Sequence, residues 1–216
     1  MNIKLFFNEK TIGNFMETKK IKYLQTIFYK TTLLIVITAS LFSCGKNYVP
    51  RPYGYFRVDL PPHNYRYLDT LQLPYRFEIS SYAKVEKREA EGEKCWIDIK
   101  YPFLNAAIYC SYKPIHGNLK ELLEDTRQMA YKHSIRADAI NEKLYRHPEK
   151  KVYGILYDLK GNTASSVQFF VTDSIHHFFR GSLYFDNVPN KDSIAPMSDY
   201  IRQDIIRLME SFEWKQ

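Results

Sequence analysis

The chain lacks an apolar run long enough to span a membrane. Its longest, Thr31 to Phe42 (TTLLIVITASLF), has twelve residues, whereas a spanning helix needs roughly 20. Glycine is scarce, with eight in 216 residues, and these punctuate turns without forming a Gly-rich phosphate loop. There is no Gly-x-Ser-x-Gly elbow, no His-Glu-x-x-His helix and no Cys-x-x-Cys pair. The phosphate-cradling, serine-nucleophile, zinc-protease and dithiol chemistries that those motifs carry have nothing to start from. One-signed charge is also sparse: the net +7 includes +4 from six Lys and two Glu in residues 1–43, leaving 25 minus 22, or +3. That balance does not argue for nucleic acid.

What is present begins with the short greasy run itself. Lys19, Lys20, Lys22 and Lys30 precede it and the small Ser43 follows, the arrangement of a secretory signal. Leu41-Phe42-Ser43-Cys44 further matches the lipobox of bacterial lipoproteins, in which the cysteine becomes the acylated first residue of the mature chain. The expected organisation is a cleaved signal over 1–43, a lipid-anchored tether over 44–69 and one domain over 70–216. Met16 would start a signal of more ordinary length, and translation from Met1 or Met16 leaves the same mature protein. At ~0.8 kcal/mol per buried CH₂, two or three acyl chains hold a protein on a membrane almost permanently. The membrane is therefore an expected partner, reached through lipid.

The tether carries Pro50, Pro52, Pro61 and Pro62 among Tyr48, Tyr53, Tyr55, Phe56, Tyr65 and Tyr67. Proline at this density disfavours helix and central strand, yet the aromatics are too many for a solvated linker. Its second half, YFRVDLPPHNYRYL, is expected to dock on the domain or on a partner.

Strand-like alternation starts at Tyr75 in YRFEISSY and continues through Cys95, Ile97, Ile99 and Tyr101 into a hairpin partner from Ala106 to Lys113. Residues 84–94, KVEKREAEGEK, read as a charged, solvated loop. If Tyr101 faces Leu104, paired numbers sum to 205 and Cys95 faces Cys110. Two readings stay open: a cross-strand disulfide, permitted in an oxidising compartment, or two buried thiols with the turn shifted. A helix follows Gly117-Asn118, with Asn118 and Glu121 in capping-box spacing. Four half-buried strands come next, around 139–145, 151–159, 166–172 and 177–185. The last helix is expected from Pro196 to Ser198 onward, with Ile201, Ile205, Leu208 and Phe212 on one face. Three strands, helix, four strands, helix make an α+β domain with a largely antiparallel sheet. The order resembles the αβα sandwich of the Mog1/PsbP-like fold.

Candidate chemistry is thin. His176 and His177 are neighbours in a strand and point to opposite faces, and His116 and His133 flank a helix too far apart to share an ion; no metal or cofactor is expected. Glu121, Glu124 and Asp125 suit the positive end of a helix dipole, and Asp158 reads as a surface residue. Aromatics at 16% are partly what a sheet core needs, with protein contact or glycan stacking as further uses.

Several segments, in order, carry a resemblance: YVPRPYGYFRVDLP after the cysteine, CWIDIKYP, IYCSYKP, NLKELLEDTRQMAYKHSIRADAI, KKVYGILYDLKGNTASSVQFFVTDS, HHFFRGSLYF and SDYIRQDIIRLMESFEW. Together they resemble the gliding-motility lipoproteins of the GldD family of Bacteroidetes. The resemblance implies an outer-membrane lipoprotein needed by the gliding machinery and the linked type IX secretion system, with protein components of that machinery as partners. It implies no enzyme, no small-molecule substrate and no catalytic residues, and Cys44 is the one defined site it transfers. Gly45-Lys46-Asn47 lacks the acidic residues that surface-exported lipoproteins of the phylum tend to carry there, which implies the periplasmic face. A peptidoglycan- or glycan-binding module is the alternative.

Overall fold

The computed structural model describes residues 6–41, 58–69, 72–90, 93–132, 136–186 and 190–215. Its contacts divide the chain into two units, Met1–Tyr53 and Gly54–Gln216. The described part of the first unit is helix α1 (Phe6–Leu41), exposed from Lys20 to Ile37. Inside its greasy stretch, Thr31 and Thr32 turn their hydroxyls back onto the Phe28 carbonyl at 2.9 and 2.8 Å, so they carry no unsatisfied donor. Among the described residues no helix is long and apolar enough to cross a membrane. Phe42, Ser43 and the acylation candidate Cys44 lie outside the described residues.

The second unit is organised by a seven-stranded sheet of β4 (Lys84–Ala90), β5 (Glu93–Tyr101), β6 (Ala106–Pro114), β7 (Ala137–His147), β8 (Val152–Gly161), β9 (Ser165–Thr172) and β10 (His177–Phe185). Spatial order is β4-β5-β6-β10-β9-β8-β7, with every adjacent pair antiparallel. Helix α2 (Leu119–Tyr131) packs on one face through Leu122 and Ala130, against Tyr157, Leu159, Phe170 and Phe178. Helix α3 (Lys191–Ser211) covers the other through Ile201, Ile205 and Leu208, against Ile97, Ile99, Val167, Phe169 and Phe179. Helix, sheet and helix give the expected α+β sandwich with an antiparallel sheet.

Short strands complete the α3 side. The run expected as the first sheet strand, Tyr75 to Tyr82, is divided into β2 (Tyr75–Arg76) and β3 (Glu78–Ser80). Neither joins the large sheet: β2 pairs with the C-terminal β11 (Glu213–Trp214), and β3 with β1 (Tyr65–Tyr67). The place vacated at the sheet edge is taken by β4, within the segment read as a solvated loop. Its charge is what an edge strand uses to discourage pairing with a second chain, so solvation and strand formation coincide there.

Three local expectations also change. The 3-10 turn Pro102–Leu104 and Asn105, at φ 48°, lengthen the hairpin connection, so β5 and β6 pair with sums of 207: Tyr101 faces Ala106 and Ile97 faces Cys110. Cys95 and Cys110 are free thiols, the second of the two readings, with Cys110 buried and Cys95 half-buried at φ 65°, beyond the last paired residue, Ile97. The capping box does not form, because Asn118 Oδ1 accepts from the His116 N–H at 3.0 Å instead. Helix α3 begins well before Pro196, since Asn190 caps it by accepting from the N–H groups of Asp192 and Ser193.

The strands β8 and β9 and the start of β10 are covered on both faces, which explains why alternation understates their burial. On the α3 face the core is aromatic: Phe179 meets Tyr75, Phe77, Phe169 and Phe212 at ring separations of 4.7, 5.6, 6.2 and 5.3 Å.

Candidate functional site

The described part of the tether, residues 58–69, does not stand off the domain. Val58 and Leu60 pack on the α3-side core, and Leu68 is 1% exposed within it. The main chain is held as well. Tyr65 to Tyr67 pair with Ser80 to Glu78, and Leu68 N–H donates to Phe77 O at 2.9 Å. Docking of the tether's second half is therefore onto the domain itself.

At the centre of this attachment is Asp204, on α3 and 3% exposed. His63 Nδ1 lies 2.7 Å from Asp204 Oδ1, and Tyr65 Oη donates to the same oxygen at 3.0 Å. Tyr101 Oη, from β5, donates to Oδ2 at 3.0 Å. The carboxylate only accepts when ionised, so the His63 nitrogen facing it carries the proton. His63 is clamped further by stacking on Tyr200, 4.3 Å away and 16° from parallel. One buried acid thus joins the tether, the final helix and the sheet.

The electrostatics follow from burial. Burial pushes the Asp204 carboxyl above its ordinary range, and the hydrogen bonds from His63, Tyr65 and Tyr101 pull back only part of that shift. Burial, then the Asp204 charge, holds the Tyr65 and Tyr101 phenols far above theirs, so both remain donors across the physiological range. An Asp-His pair becomes a nucleophile-activating device only when the second ring nitrogen meets a hydroxyl or thiol. Among the described residues no hydrogen bond reaches that nitrogen of His63. The arrangement does the work of a fastener.

The residues singled out from sequence are dispersed. His177 Nδ1 meets Tyr112 Oη at 2.7 Å and its ring stacks on Trp214, whereas His176 is exposed. Asp173 ties their turn by accepting three backbone N–H groups, from Ile175, His176 and His177. His116 lies beside α2, and His133 falls outside the described residues. Among the described residues no three His, Cys, Asp or Glu are grouped to hold a metal. Asp158 is not a free surface acid: its side chain is 14% exposed and accepts from Arg202 Nε of α3 at 3.1 Å. Asp158 also lines a cleft of about 240 Å³ with Asp138, Asp192 and Asp199. The aromatics divide between uses, with Tyr75, Phe77, Phe169 and Phe212 in the core and Tyr67, Tyr82, Phe103 and Tyr109 at the surface.

Sequence reasoning missed Asp204 and His63. The available signal was a lone acid on an apolar helix stripe, Ile201, Asp204, Ile205, Leu208, for which a buried partner is required.

No curated protein is similar to the chain in sequence. In three dimensions it is similar to the solution structure of cyanobacterial PsbP from Synechocystis sp. PCC 6803, with a TM-score of 0.47 at 9% identity over 76% of this chain and 99% of that one. The family model of the gliding motility lipoprotein GldD matches residues 45–214. From the residue after Cys44 to the strand that closes the C terminus, the chain belongs to the GldD family of gliding motility lipoproteins.

Proposed function

We propose that this protein is a lipoprotein acylated at Cys44, held on the periplasmic face of the outer membrane, that serves the gliding machinery and its linked type IX secretion as a non-enzymatic assembly or stabilising factor. One observation supports this above the others. The chain leading from Cys44 is fastened to the domain from Val58 onward by core packing, a strand pair and the Asp204 hydrogen bonds. Fourteen residue steps separate Cys44 from Val58, a reach of at most about 50 Å when fully extended. A lipid at Cys44 would thus hold the domain within a bounded distance of the membrane, which is what a positioning factor needs and a diffusing enzyme does not.

The test is Cys44→Ala in the full chain, in cells that glide or secrete. The domain should remain folded and leave the membrane fraction, and motility and secretion should be lost. Full motility and secretion by the non-acylated protein at native abundance would overturn the proposal.

A further inference from the structure

The α2 face of the sheet is covered only in part. Helix α2 lies over β8, β9 and the start of β10, on Tyr157, Leu159, Phe170 and Phe178. The half built from β4, β5, β6 and the rest of β10 presents Trp96, Tyr109 and Tyr184 instead, none of them buried. Tyr109 and Tyr184 are in ring contact at 5.7 Å, and Arg88 lies over both Trp96 and Tyr109 at 5.6 and 5.1 Å. Tryptophan, tyrosine and arginine held rigidly on a sheet are the residues that dominate binding energy at protein interfaces.

Arg180 is the anomaly on this face. It is partly buried, and no carboxylate pairs with it among the described residues; Gln168 Oε1 and Ser182 Oγ accept from it at 3.3 and 3.2 Å, and Met129 Sδ touches it. Its Nε is buried without a partner, and so is Nε2 of the adjacent Gln168, a residue with no exposed surface. Three side-chain atoms in the described structure are left so, and two of them are here. A buried cation without a counter-charge costs stability, and orphaned donors beside it add to that cost. The acids that share the face do not relieve it. Asp98 pairs with Arg88 and Glu86 with Lys100, which leaves Lys84, Lys113 and Arg180 without an acidic partner among the described residues.

We infer that the open half of this face is a docking surface for a protein segment that presents an Asp or Glu side chain to Arg180, with its flanking apolar side chains on Trp96, Tyr109 and Tyr184. A carboxylate supplies the counter-charge the fold withholds, accepting from the Nη atoms, which here meet only a thioether, an amide oxygen and a hydroxyl, while Nε stays sealed inside. The surplus of unpaired Lys and Arg around it attracts an acidic segment and repels a basic one. The inference rests on the domain's holding a protein partner, but not on acylation.

The test places p-benzoylphenylalanine at Tyr109 in the full chain, crosslinks in living cells, and identifies the joined peptide by mass spectrometry. The expected product is a segment of another protein containing Asp or Glu, with a yield at least tenfold lower in Arg180→Met and partly retained in Arg180→Lys. The Tm of purified Arg180→Met should be unchanged or higher, because removing an unpaired half-buried cation removes a cost. No crosslink, a joined muropeptide, a peptide without acidic residues, or a yield indifferent to Arg180→Met would each overturn the inference. So would a failure of Arg180→Met to fold, since Arg180 would then serve the core. Crosslinking that persists in Cys44→Ala alongside lost motility separates this surface from the anchor.

Discussion

The two faces of the sheet are filled by opposite means. The α3 face is closed by a helix, four short strands and the tether's end, and its core is mostly aromatic and aliphatic, with one acid whose hydrogen bonds are satisfied. The α2 face carries a small core under one helix and beside it a half-open field of rings and cations. Stability is concentrated on the first face, which frees the second to keep a costly residue such as Arg180. The sharpest way to break this comparison uses two neighbours in β10 that point to opposite faces. Phe179 touches four aromatic rings and Phe178 one, that of Phe170 at 5.4 Å. Truncation of a buried Phe costs about 3–5 kcal/mol. Phe179→Ala should reach the top of that range in denaturant unfolding and Phe178→Ala the bottom. Equal losses would mean that the faces share the burden.

The second prediction concerns how tightly the α3 face is packed. A Cβ at Gly181 would lie 2.4 Å from Cε1 and 2.5 Å from Cζ of the Phe169 ring, and that ring is itself wedged against Phe179. Overpacking of this kind costs about 1–3 kcal/mol. Gly181→Ala should lower the denaturation midpoint accordingly, and Phe169→Leu in the same chain should recover part of the loss by making room.

This contrast explains which parts of the protein were legible beforehand. Helix α2, helix α3 beyond its first turns, and strands β8 to β10 announce themselves by period, because their side chains meet one uniform environment along each face. Strand β4 did not: on an edge, the pairing partner lies on one side only and charge is an advantage, so KVEKREA carries the composition of a loop. Tyr75 to Tyr82 has the alternation of a sheet strand, but alternation is blind to which partner is chosen. The partners are the tether, 11 to 15 residues back, and the C terminus, 137 to 139 residues on. Asp204 and Arg180 were opaque for a related reason. A polar residue in an apolar stripe shows that something must meet it, and only the fold shows that His63, Tyr65 and Tyr101 meet one while no carboxylate among the described residues meets the other.

The third prediction tests whether the fastener behaves as its burial demands. Asp204 faces His63, Tyr65, Tyr101 and Tyr200, and its folded pKa is raised because burial outweighs the hydrogen bonds. A group raised in the folded state contributes stability that is fully present below its unfolded value, about 3.9, and lost as pH rises through the folded value. Asp204→Asn keeps one acceptor oxygen and should cost about 1 kcal/mol, the scale of a hydrogen bond. That cost should be largest at acid pH and shrink as pH rises from about 4, in paired Tm measurements across the range. A cost that grows with pH would show that the three donors favour the ionised form more strongly than burial opposes it.

The smallest effect is expected at the outer edge of the open face. Lys100 Nζ pairs with Glu86 across β5 and β4, with the two side chains 40% and 57% exposed. Water competes for both charges and salt screens them, so exposed pairs of this kind contribute little. Lys100→Ala should leave the Tm unchanged within error, at low and at high salt, while Arg180→Met one strand beyond β6 leaves it unchanged or raises it. The two substitutions both remove a cation from the same face, and they separate two reasons for a cation's being there. A charge that is cheap to keep needs no function to explain it, whereas a charge the fold is better off without does. A clear Tm loss in Lys100→Ala would make the edge ladder part of the scaffold, and the open face would then begin only at Trp96 and Tyr109.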